Sequence, residues 1–112
     1  MLSFSITLYI YLMRNDIQQF KASLRENACP VGLNIYLQAL WFDGKGDWQK
    51  AHDLVNDLDS TEGARVHAYL HRKEGDIGNA DYWYRRAGAT RPVIPLDDEW
   101  LKLVEYFLDH KP

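Results

Sequence analysis

The sequence contains one cysteine, Cys29, so an internal disulfide is excluded and nothing indicates an oxidising compartment. We therefore expect a cytoplasmic protein. Only four prolines and seven glycines occur among 112 residues, which argues against collagen-like and low-complexity chains. There is no glycine-rich phosphate loop, no nucleophile elbow and no paired-cysteine motif. The sequence thus gives no sign of a common enzyme class, and we expect a protein without catalytic activity.

Basic charge and long apolar runs are also scarce. The net charge is −3, whereas a basic domain would be the signal for nucleic acid, so we expect no nucleic-acid partner. The N-terminal apolar run ends at Arg14, short of the roughly 20 residues that span a bilayer, and it lacks the basic start of a signal peptide. Stable membrane insertion is not expected.

The first 13 residues have no helical period, and we predict that 1–13 is an extension outside the fold. Three interpretations stay open: a short packing element, a membrane-surface anchor, or sequence upstream of a true start at Met13. Residues 14–112 are predicted to form a single helical repeat domain.

From Asn15 onward, apolar residues recur at helical spacing and no alternating strand pattern is found. The spacing predicts helices over 16–27 and 33–42, a third helix capped by Asp47, and a fourth capped by Ser60 or Thr61. The fourth and fifth helices meet at Gly75 and the fifth ends at Gly88. A last helix is predicted over 98–108.

The segments "GKGDWQKAHDLV" and "KEGDIGNADYWY" both read G-D-x-x-x-A, which indicates an internal repeat. Glycine allows a turn between helices, aspartate caps the second helix, and alanine permits close packing. The stretch 61–92 resembles one tetratricopeptide repeat, and 32–59 resembles a shortened one. The matching positions in 61–92 are Ala64, Ala68, Gly75, Ala80, Tyr84, Ala87 and Pro92. Those in 32–59, the first repeat along the chain, are Ile35, Ala39, Gly46, Ala51 and Val55.

This resemblance implies an all-α fold, a short right-handed solenoid of antiparallel helical hairpins with about six helices. It also implies a non-catalytic interaction module with a protein or peptide partner. The stretch from Phe20 onward also resembles small bacterial proteins of unknown function, recognised by "LQALWFDGKGDWQKAH" and "VHAYLHRKEGDIGNADYWYRRAG". That second likeness implies a helical repeat domain and no activity.

Charge is segregated between the two repeats. Acidic residues crowd the first and basic residues the second: Asp43, Asp47, Asp53, Asp57 and Asp59, against Arg65, Arg72, Lys73, Arg85, Arg86 and Arg91. Arg65 and Arg72 share one helical stripe bordered by Tyr69, in the region that resembles the concave side of a tetratricopeptide helix. Because guanidinium groups favour carboxylates and phosphates, we predict that Arg65, Tyr69, Arg72 and Arg86 bind an acidic peptide or a phosphate- or carboxylate-bearing ligand. The alternative is a solvated face with ordinary ion pairs.

His67 and His71 occupy places where tetratricopeptide repeats usually carry apolar residues. Four residues apart on a helix, the two rings lie on one face. Our first interpretation is a polar seam between helices, with no metal and no cofactor. The alternative is a zinc-type or hydrolytic site completed by His52, or failing that by Glu74 or Asp81. The usual zinc-hydrolase glutamate is missing, because position 68 is alanine.

Overall fold

A computed structural model describes residues 16–109, and within them the chain forms six helices and no strand. The all-α prediction is therefore confirmed, while the predicted extension 1–13 lies outside the described residues. The helices are α1 (16–23), α2 (Ile35–Gly44), α3 (Trp48–Val55), α4 (Thr61–Glu74), α5 (Ile77–Arg86) and α6 (Leu96–Asp109). None of the helices described between 16 and 109 combines the length and apolarity that a membrane span requires.

Side-chain caps set where most of these helices begin. Asp47 and Ser60 cap α3 and α4, as the sequence predicts, by accepting hydrogen bonds from the backbone N–H groups of Lys50 and Gly63. The predicted start at position 33 is wrong: Asn34 caps α2, so that helix begins at Ile35.

Two other predicted boundaries move by a few residues. The first helix ends at residue 23 instead of 27, where three successive amides turn back onto carbonyls three residues earlier. The last helix begins at Leu96, two residues early, because it follows Pro95 directly and the Pro95 carbonyl accepts the first helical bonds from Asp98 and Glu99.

Consecutive helices pack against each other in two pairs. Helix α2 packs along α3, and α4 packs along α5, with α3 against α4 joining the pairs and α6 lying against α2 and α4. Gly75 turns the chain between α4 and α5 at a φ of 89°, a left-handed conformation that glycine adopts without a steric cost.

The core is one large apolar cluster together with a small one. The large cluster joins all the helices except α5 and includes Leu40, Val66 and Val104. The small one lies between α4 and α5 and consists of Ala68, Ala80 and Tyr84, with Trp83 packed against it. The small side chains of Ala68 and Ala80 let the two helix backbones approach closely.

Replacing Ala80 by leucine is expected to destabilise the protein by roughly 1–3 kcal/mol, because the added atoms have no space between α4 and α5. Urea titration at pH 7.5 measures the change. The matched control on the same helix is Gly78→Ala, since a Cβ at Gly78 meets nothing within 4 Å. The control should be neutral or stabilising by up to about 1 kcal/mol. A neutral Ala80→Leu would contradict the close α4–α5 packing.

Candidate metal centre

Three histidines from two helices converge at the α3–α4 contact. His52 lies on α3 and His67 and His71 lie on α4, and one ligand atom from each falls within 4.8 Å of the others. His52 Nε2 and His67 Nε2 are 3.0 Å apart. The ring centroids are separated by 4.7 Å (His52 and His67), 5.2 Å (His52 and His71) and 4.7 Å (His67 and His71). The structure thus brings together the three residues of the alternative zinc site; we call them the histidine cluster.

The helix geometry explains this convergence. His67 and His71 are one turn apart on α4, so their rings stack at an interplanar angle of 30°. Helix α3 packs against α4, which brings the His52 ring to these two rings. His67 is 2% and His71 is 6% exposed, so two polar rings occupy positions that apolar side chains would normally fill.

Two tryptophans enclose the histidine cluster. Trp48 stacks on His52 with centroids 4.8 Å apart, and Trp83 of α5 stacks on His67 at 4.0 Å. The Trp48 indole N–H donates to the Leu70 carbonyl over 2.7 Å, which fixes this ring across the α3–α4 contact. His52 and His67 therefore each lie against a flat indole ring, which limits their rotation and the access of water.

Both ring nitrogens of His71 have a hydrogen-bond partner outside the other two histidines. Its Nδ1–H donates to Glu74 Oε1 over 2.8 Å, which favours the tautomer with the lone pair on Nε2. The Asn79 side-chain amide donates to that Nε2 over 3.4 Å. A carboxylate behind a histidine is the usual partner that orients a metal-ligating imidazole.

His52 has an unsatisfied nitrogen. Its Nδ1 is buried and has no hydrogen-bond partner among the described residues, and the nearest carboxylate oxygen, on Asp53, is 4.0 Å away. Whichever of His52 and His67 donates in the Nε2–Nε2 contact, the cluster keeps a buried polar atom without a partner. Such atoms are uncommon in native proteins and often mark a functional position.

Burial lowers the pKa of two of the three histidines, His67 and His52. It lowers the pKa of His67 to about 4, with additional lowering from positive charge on His71 and then His52. Burial is also the main cause that lowers the pKa of His52. Neutral imidazoles offer their lone pairs to a metal without first losing a proton.

Of the four residues predicted to bind an acidic ligand, two make hydrogen bonds inside the fold. Tyr69 is buried, and its hydroxyl donates to Asp43 Oδ2 over 2.8 Å. Arg72 Nη1 donates to Glu99 Oε1 over 2.7 Å, deep between α4 and α6. Both side chains therefore serve internal contacts.

Arg86 and Arg65 lie elsewhere. Arg86 is on α5, where its guanidinium packs over the Trp83 ring at 5.2 Å and lies 3.6 Å from exposed Asp59. Arg65 lines a cleft between α4 and α6. The structure does not bring the four predicted residues to one surface. Asp81, the last-choice third metal ligand, pairs with Arg91 instead at 2.9 Å.

Sequence reasoning missed the two stacking tryptophans and the role of Asn79. The signal for Glu74 was present, since a glutamate three residues after His71 on a helix lies beside its ring. Searches against protein-family models, curated proteins and solved structures found no match to this chain.

Acid is expected to destabilise the metal-free protein through His67. Its folded-state pKa of about 4 lies below the unfolded value near 6.5, so the unfolded chain takes up the proton first as pH falls. Stability is therefore constant above about pH 6.5 and is lost between that value and about pH 4. Between pH 7.5 and 5.0 the loss from His67 should be about 2 kcal/mol.

Urea unfolding in chelator at the two pH values measures this loss. His67→Leu should reduce the difference between them by most of that amount, whereas Glu105→Gln, an exposed position on α6, should leave it unchanged. An equally steep pH dependence in His67→Leu would show that other groups cause it.

Proposed function

We propose that the protein binds a divalent transition metal ion of the zinc class through His52, His67 and His71. The observation that carries the proposal is the convergence of three imidazoles, two of them buried, with ligand atoms within 4.8 Å of one another. Imidazole is a common ligand of zinc, copper, nickel and iron, whereas magnesium and calcium prefer oxygen.

The distance between the His52 and His67 nitrogens is close to that of two ligands of one zinc ion. A tetrahedral zinc ion with bonds near 2.0–2.1 Å separates two ligand nitrogens by about 3.3–3.4 Å. The 3.0 Å between His52 Nε2 and His67 Nε2 is slightly shorter, so the two rings would move apart by only a few tenths of an ångström. Coordination would replace the contact between the two Nε2 atoms. The hydrogen of the His52 ring would then be on Nδ1, which faces Asp53.

Glu74 acts in this proposal as an orienting group. Its carboxylate accepts from His71 Nδ1–H, which makes Nε2 a better electron donor. Coordination through Nε2 would replace the 3.4 Å contact of that nitrogen with the Asn79 side chain. Among the described residues, only His71 brings a ligand atom close to both His52 and His67, and no carboxylate or thiol does so. A tetrahedral ion would therefore have three protein ligands and one position for water or an exogenous ligand.

Protein purified without an affinity tag is expected to bind one equivalent of Co²⁺, with visible d–d absorption of tetrahedral intensity, and Zn²⁺ should displace it. His67→Gln and His52→Gln should each weaken Co²⁺ binding by at least 100-fold because each removes a ligand. Glu74→Gln should weaken it by about 10–100-fold, since it removes only the orienting carboxylate.

The matched control for this experiment is Asp81→Asn, because Asp81 pairs with Arg91 and lies outside the histidine cluster. It should bind Co²⁺ as tightly as the wild type. Absence of tetrahedral absorption in the wild type, or loss of binding in the control alone, would overturn the proposal and favour a polar seam without metal.

We further propose that the two hairpins form a short right-handed solenoid of the tetratricopeptide type. Support comes from the packing of α2 on α3 and of α4 on α5, each pair joined by a short turn, and from fully buried Ala39, Ala51, Ala68 and Ala80 at four of the resembling positions. Recognition of an acidic peptide by Arg65, Tyr69, Arg72 and Arg86 acting together has less support, because Tyr69 and Arg72 are engaged inside the fold.

A further inference from the structure

A small cleft lies between the first turns of α4 and the last turns of α6. Its volume is about 190 Å³. The lining includes Thr61, Glu62 and Arg65 from α4 and Lys102, Leu103 and Phe107 from α6. It is separate from the histidine cluster, whose ligands come from α3 and from the other faces of α4.

Arg65 and Arg72 occupy equivalent places on α4, two turns apart, but only Arg72 has an acidic partner. Arg72 pairs with the buried carboxylate of Glu99 on α6. Arg65 lies seven residues before Arg72 on α4. The part of α6 that lines the cleft beside Arg65 lies after Glu99. That segment offers Lys102, Leu103, Tyr106 and Phe107, none of which is acidic.

The guanidinium of Arg65 therefore has a hydrogen-bond donor without an acceptor. Its Nε is buried without a partner in the described part of the chain, and no ion pair joins Arg65 to any acid between residues 16 and 109. A buried donor without an acceptor destabilises the fold, and one attached to a cation does so more strongly. That Nε is closed to solvent, so an oxyanion in the cleft would pair with the charge through the Nη groups of the guanidinium.

The lining also indicates the kind of anion. Arg65 and Lys102 contribute two positive charges and Glu62 one negative charge, so the cleft carries one net positive charge and suits a singly charged ligand. A phosphate dianion would face repulsion from Glu62. Leu103 and Phe107 give an apolar wall that suits a hydrocarbon or aromatic body.

We propose that this cleft binds a small monocarboxylic acid with an apolar body, its carboxylate paired with the Arg65 guanidinium and close to Lys102. One outward N–H bond from each of the two Nη atoms of arginine points in parallel, which matches the two oxygens of a carboxylate. The proposal is independent of the metal site, because the two use different residues.

The test is a titration of ¹⁵N-labelled full-length protein with benzoate, followed by NMR shifts of backbone amides and of the Arg65 Nε–H. We expect saturable shifts at Arg65, Leu103 and Thr61, with a dissociation constant in the millimolar range or below. Benzamide, which has the same shape without the charge, and inorganic phosphate should each bind at least 10-fold more weakly.

Variants identify the groups responsible. Arg65→Gln should raise the benzoate dissociation constant at least 10-fold, and Arg65→Lys should raise it several-fold because it keeps the charge but loses the parallel donors. Arg85→Gln, an exposed arginine outside the cleft, is the matched control and should not change it.

Circular dichroism melts of each variant establish that it folds. Unsaturable shifts in the wild type, equal binding of benzamide, tighter binding of phosphate, or unchanged affinity in folded Arg65→Gln would each overturn the proposal. Metal binding at the histidine cluster, measured by Co²⁺ absorption, should be the same in Arg65→Gln and wild type.

Discussion

The buried carboxylate of Glu99 is the contact on which the arrangement of α4, α5 and α6 depends. It is 1% exposed, and it accepts one hydrogen bond from Arg72 on α4 and one from Tyr84 on α5, each 2.7 Å long. Burial and the bond to Glu99 raise the pKa of the Tyr84 hydroxyl, which remains a donor. Because a buried charge is tolerated only with its partners in place, the three helices can meet in one relative position.

A second buried carboxylate fixes the other side of α4. Asp43 of α2 accepts from the Tyr69 hydroxyl and from Lys73, each over 2.8 Å. Helix α4 is thus tied by charge-assisted bonds to α2 and α6 as well as by apolar packing. With α4 held in this way, its remaining buried face, which carries His67 and His71, meets α3 and α5 at fixed distances. The geometry of the histidine cluster is consequently set by contacts outside it.

Local sequence features were sufficient to predict most of the helices and one side of the site. Caps such as Asp47 and Ser60, and the four-residue spacing of His67 and His71, act within a single helix and can be read directly from the sequence. Arg72 could not be assigned in this way, because its partner Glu99 is 27 residues away and the pairing depends on how α6 packs on α4. For the same reason Arg65 and Arg72 look identical in the sequence, although the structure separates their environments.

The histidine cluster lowers the stability of the metal-free fold because of where it lies. Two α4 positions that would normally hold apolar side chains carry imidazoles, and His52 Nδ1 is buried without a partner in the described chain. A leucine pair would bury more apolar surface and leave no polar atom unsatisfied. A metal ion that binds only the folded protein would raise the free energy of unfolding. At high metal concentration, the increase grows with the logarithm of the ratio of metal concentration to dissociation constant. The fold would then be most stable when loaded, and the polar rings at the α3–α4 contact would gain the partners that the protein itself does not supply.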